Sequence, residues 1–81
     1  MLITVSVRYF AQLREERGSG YEQLQIETQS VGSLYKQLAA EHHFRLQPNQ
    51  LRMVVNEEFT SVETELQDGD EVVFIPPVAG G

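Results

Sequence analysis

A chain of 81 residues makes one domain and buries roughly 60 to 65% of its unfolded surface, enough for one thin core and no enclosed active site of its own. Twelve acidic against six basic side chains, a net charge of −6, argue against nucleic acid, which wants a basic face, and are compatible with docking on a basic protein surface. The chain has no cysteine, hence no disulfide and no thiol chemistry. It has no apolar run of about 18 residues to span a membrane and no basic-then-apolar leader in "MLITVSVRYF", so a cytoplasmic protein is expected.

"LITVSVRY" alternates with period two. Ile3, Val5, Val7 and Tyr9 face one way and Leu2, Thr4, Ser6 and Arg8 the other, which predicts a strand with one buried face. In "FAQLREERG" the period changes. A short helix is expected with Phe10, Leu13 and Arg14 on one side and Gly18 as its stop. After the "GSG" turn, "YEQLQIET" alternates again with Leu24 and Ile26 on one face, a second strand returning beside the first. "SVGSLYKQLAAEHHF" is the main helix. Ser30 is its expected N-cap, and Val31, Leu34, Tyr35, Leu38 and Ala39 form the stripe that covers a sheet. Gly32 reads as a low-cost weak spot in the first turn. Pro48 and Asn49 close the next loop. Leu51 to Val55 is a third strand, followed by a turn at Asn56 to Glu58 and a short strand piece at Phe59. "VETELQDGD" is irregular and ends in an Asp-Gly turn. "EVVFI" is a continuous apolar run, which predicts a central strand covered on both faces. The order predicts an α+β domain of the β-grasp, ubiquitin-like kind: a mixed sheet of four or five strands under one main helix, spanning 1–75, with an extended tail over 76–81.

Few side chains offer chemistry. His42 and His43 are adjacent on a helix and cannot both grip one ion, and no third histidine or cysteine completes a metal site. "DGDE" from Asp68 lacks the remaining ligands of a calcium loop and reads as a turn. Glu57 and Glu58 read as solvated turn charges. Arg8, Arg14 and Arg17 form a basic cluster that is either a solvated face or a partner contact.

The tail is different. Pro76 and Pro77 cannot donate to a sheet ladder and hold the chain extended. Six residues from Pro76 reach about 20 Å. Beyond Val78 and Ala79, Gly80 and Gly81 could thread a slot closed to larger residues. Such an arm would deliver the carboxylate of Gly81.

"YFAQLRE", Tyr9 to Glu15, and "LQDGDEVVFIPPVAGG", Leu66 to Gly81, together with "SVGSLYKQLAAE" and "VVN" at Val54 to Asn56, resemble the small, sulfur-carrying subunits of molybdopterin synthase over essentially the whole chain. The resemblance implies that an activating enzyme of the ubiquitin-activating kind uses ATP to adenylate Gly81. A sulfur donor then displaces AMP, leaving a thiocarboxylate. The large catalytic subunit takes up the tail, and the sulfur is passed to a cyclic pyranopterin phosphate to build the dithiolene. This implies a non-autonomous subunit, active in a heterotetramer, that binds no cofactor itself. A sulfur carrier for thiamine or tRNA thiolation, a ubiquitin-like protein modifier and a plain binding module remain the alternatives. For the docking face, alternation puts Val5, Val7, Tyr9, Val72 and Phe74 under the helix. Val73 and Ile75 then lie on the opposite face, with Phe10 and Phe59 near them and Arg14 at the rim. The rival expectation is that Phe10 and Phe59 merely complete a small core.

Overall fold

The computed structural model describes residues 1–77. Its elements are β1 (Leu2–Tyr9), α1 (Ala11–Arg17), β2 (Tyr21–Glu27), α2 (Val31–His42), a 3-10 turn (Pro48–Gln50), β3 (Arg52–Val55), β4 (Glu58–Thr60) and β5 (Glu71–Ile75). The five strands form one sheet in the order β2-β1-β5-β3-β4. The first and last strands pair in parallel at its centre, and the other pairings are antiparallel. This is the β-grasp fold.

The alternation of β1 and β5 decides what is inside. Ile3, Val5, Val7, Tyr9, Val72 and Phe74 are buried against Val31, Leu34, Tyr35 and Leu38 of α2. Tyr35 meets Phe74 edge-on with ring centres 5.1 Å apart, and Phe44 closes the cluster 5.7 Å from Tyr9. Each such side chain contributes about 1.5 to 3 kcal/mol of transfer free energy when fully buried.

The ends of the helices follow local chemistry. The Ser30 hydroxyl accepts from the Ser33 N–H at 3.1 Å, the expected N-cap. Gly18 ends α1 in the left-handed region at φ 84°, where a Cβ would be strained. His43 does the same for α2 at φ 58°, so the second histidine terminates the helix.

The Asp-Gly-Asp turn ties three strands together. The Asp68 carboxylate accepts from the Thr4 N–H at 2.7 Å. Asp70 accepts from the Gln67 N–H at 2.7 Å and from the Asn56 amide at 2.9 Å. These carboxylates are spent on backbone and amide donors, which is why the segment is a turn and not an ion loop.

Four expectations change. Gly32 is not a tolerated weak spot: it is buried, and a Cβ there would lie 2.8 Å from both Cβ and the carbonyl oxygen of Val62. The loop after β4 packs directly on this helix turn, and only glycine leaves room. Phe10 and Leu13 do not share a side, because Phe10 precedes the helix in extended backbone and is 47% exposed while Leu13 is fully buried. The apolar run of β5 is central, yet its second face is only partly covered, with Val73 and Ile75 half-buried. β3 also starts one residue late, because Leu51 closes the 3-10 turn.

Candidate functional site

The helix covers one face of the sheet. Cross-strand partners share a face, so register builds the other. Tyr21 pairs with Arg8, Arg8 with Val73, Val73 with Val54, and Val54 with Phe59. One row thus runs across all five strands. In the next row Ile75 pairs with Arg52. Phe10 follows Tyr9 with φ −125° and ψ 154°, so alternation turns it to this same side, one position past the Tyr9–Phe74 pair.

The row has an apolar middle and aromatic ends. Val73, Val54 and Ile75 are half-buried, whereas Phe59 is 68% and Tyr21 50% exposed. Such exposure removes Phe59 and Phe10 from the core. Arg8 stacks on Tyr21 and Arg52 on Phe59, each guanidinium carbon 5.4 Å from the ring centre. Arg14 lies elsewhere, packed over the α1–β2 loop, where its Nε would stand 3.1 Å from a Cβ added to Gly20. The structure therefore brings together Val73, Ile75, Phe59 and Phe10 and leaves Arg14 to one side. Tyr21, Val54 and the two arginine stacks were not singled out from sequence. Tyr21 and Val54 sit in ordinary strand patterns, and stacking depends on inter-strand register.

The root of the tail is the end of the central strand. β5 ends at Ile75, Pro76 is buried, and Pro77 is exposed. The proline pair borders an open cleft of about 490 Å³ against Asn49 to Arg52. Val78, Ala79, Gly80 and Gly81 lie outside the described residues.

A polar clamp behind the face fixes the strand ends. The Tyr9 hydroxyl and the Arg17 guanidinium both donate to the Glu22 carboxylate, Arg17 at 2.9 and 3.0 Å. The Arg17 hydrogen bond, against burial, holds the Glu22 carboxyl below its ordinary range. Burial first, and Glu22 second, push the Tyr9 hydroxyl well above ordinary tyrosine. Burial, with the charge of Glu16, pushes Tyr35 up to about 12. The clamp joins β1, α1 and β2 immediately around Phe10. Among the described residues no cluster of three or more His, Cys, Asp or Glu could hold a metal, and no helix is long and apolar enough to cross a membrane.

Topology and open face together define a ubiquitin-like β-grasp protein. The ThiS family model matches residues 7–81, and the chain belongs to that family. It is 35% identical to the molybdopterin synthase sulfur carrier subunit of Escherichia coli K12, over 95% of this chain and 99% of that one. It is 37% identical to the subunit of the same name from Mycobacterium tuberculosis, over 99% and 100%. The complex of subunits 1 and 2 of the molybdopterin-converting factor from Helicobacter pylori contains a similar chain, with TM-score 0.64, 25% identity and coverage of 98% and 100%.

Proposed function

We propose that this chain is the sulfur carrier subunit of a molybdopterin synthase, with Gly81 as its reactive end. The observation that carries the reading is the root of the tail. The central strand, hydrogen-bonded on both sides, ends in two prolines beside an open apolar sheet face. A partner that covers the face is thereby positioned to receive the tail. Near full-length relatives that bear the name of sulfur carrier subunit support the carrier role.

The chemistry starts from a poor electrophile. The Gly81 carboxylate attacks the α-phosphate of ATP on an activating enzyme, and pyrophosphate leaves. A sulfur donor then attacks the acyl-adenylate carbonyl, AMP leaves, and the terminus becomes a thiocarboxylate. On the large subunit the thiocarboxylate sulfur attacks a cyclic pyranopterin phosphate, water cleaves the resulting acyl C–S bond and returns the Gly81 carboxylate, and two such rounds build the dithiolene. Tethering replaces a bimolecular encounter and supplies part of the rate. Val73, Ile75, Phe59 and Phe10 are the docking surface in this reading, and Arg14, expected at its rim, stands off it over the α1–β2 loop. The Helicobacter pylori complex of subunits 1 and 2 supports a large-subunit partner.

The test is the intact mass of the protein taken from its native host with an untagged C-terminus. A carrier shows a population in which one oxygen is replaced by sulfur. Mass ladders on other proteins would mark a protein modifier instead, and neither signal would leave a plain binding module.

A further inference from the structure

The molecule is acidic as a whole, but its open face carries two arginines that no carboxylate among the described residues holds. The chain carries −6, yet the side chains flanking the apolar middle of the face are Arg8 and Arg52. Among the described residues neither makes a hydrogen bond or an ion pair through its side chain, unlike Arg17, which is held by Glu22 at 2.9 Å. Two strand carboxylates share this side, and neither forms an ion pair with Arg8 or Arg52. Glu27 is taken by the Met1 amino group at 2.9 Å. Glu71 sits opposite Ser6, two residues before Val73 on β5.

Each arginine lies over an edge aromatic, its guanidinium carbon 5.4 Å from the ring centre. The ring contact restrains the guanidinium while its N–H groups stay unpaired among the described residues, which lowers the conformational cost of binding a carboxylate. Arg8 and Arg52 stand two strand spacings across and two residues along the sheet, about 12 Å apart between Cα atoms. The apolar pair Val73 and Ile75 lies between them on β5.

We propose that Arg8 and Arg52 form a two-point recognition element for carboxylates on the large subunit, so that the partner presents an apolar patch flanked by two acidic side chains. The inference rests on the carrier reading above and names the chemistry of the surface that reading requires. The excess negative charge acts at long range and is screened within about 8 Å at physiological salt. At contact distance the local arginines decide. A second copy of this chain is a poor occupant, since it would bring the same two arginines and another −6 with it.

The experiment is calorimetric titration of the full chain, with a free C-terminus, into the large synthase subunit at low and high salt. Arg8→Gln and Arg52→Gln should each weaken binding about fivefold at low salt, less at high salt. Arg8→Lys and Arg52→Lys, which keep charge but lose the planar guanidinium and its forked donors, should fall between. Lys36→Gln, on the exposed side of α2, should bind as the parent does. All variants should melt with the parent, since these side chains are exposed. Unchanged or tightened binding by both glutamine variants overturns the acidic complement while leaving the carrier reading intact, provided Phe59→Ala still loses affinity. Failure of the parent itself to bind the large subunit overturns the carrier reading and this proposal with it. Sedimentation showing a dimer strengthened by Arg8→Gln assigns the face to self-association and overturns it as well.

Discussion

Glu22 concentrates several effects in one side chain. Its carboxylate accepts from Tyr9 and Arg17, and its pKa is lowered in the fold. A lowered folded pKa means the native state holds the proton less tightly than the unfolded chain. The clamp is therefore fully present above the ordinary glutamate value, about 4.3, and is lost as pH falls through the lower folded value. Acid melting curves of Glu22→Gln should be flatter below that pH than those of the parent. A parallel loss in both proteins would show that the clamp adds nothing. Gly32 makes a different demand. Gly32→Ala forces a methyl against the Val62 carbonyl and should cost about 1 to 3 kcal/mol by overpacking, read from chemical denaturation. The turn at Asn56–Glu57 has φ of 51° and 71°, the geometry of a type I′ hairpin, which favours glycine at its second position. Glu57→Gly should thus stabilise by about 0.5 to 1 kcal/mol, whereas the same change in a strand would destabilise.

At the scale of elements, the two faces of β5 separate stability from recognition. Phe74→Ala, under the helix, should cost about 3 to 5 kcal/mol of stability. Phe59→Ala, 68% exposed on the neighbouring hairpin, should shift stability by no more than about 0.5 kcal/mol and instead weaken binding to the large subunit. Matched melting and affinity measurements on both variants check this. Strand alternation made the two faces legible in the sequence, because the period is 2 and one face is uniformly apolar. The N-cap at Ser30 and the stop at Gly18 were legible for the same kind of reason, since a single side chain decides each. What escaped depends on distant contacts. Gly32 looked expendable because nothing local announces that Val62, thirty residues on, will lie against it. Phe10 and Leu13 looked like neighbours on one helix face because the helix was expected to start a residue early. The arginine stacks required the register of β1 with β2 and of β3 with β4. Gly81 was singled out from sequence by its place at the end of the tail, and the described residues reach only to Pro77.

For the whole molecule, the folded domain and the reactive end are expected to behave as separable parts. Adding one residue after Gly81 should abolish sulfur transfer while the melting temperature holds, since the buried core of the described residues runs from Ile3 to Phe74. Gly80→Val should likewise fold but fail in activation or transfer, because a β-branched side chain widens the arm and restricts its torsions. Wild-type transfer by the extended variant would remove the requirement for a free terminal Gly81, and by Gly80→Val the narrow-slot argument. The parallel pairing of β1 with β5 has a consequence in time. The two central strands are joined through sequence positions 2–9 and 71–75, so the middle of the sheet cannot close until nearly the entire chain is available. Contacts of such long sequence separation slow folding and delay it to the end of synthesis. A ribosome still holding β5 in its tunnel holds an unfolded chain, so an activating enzyme that recognises the folded domain would find nothing to engage until translation has run past the last strand.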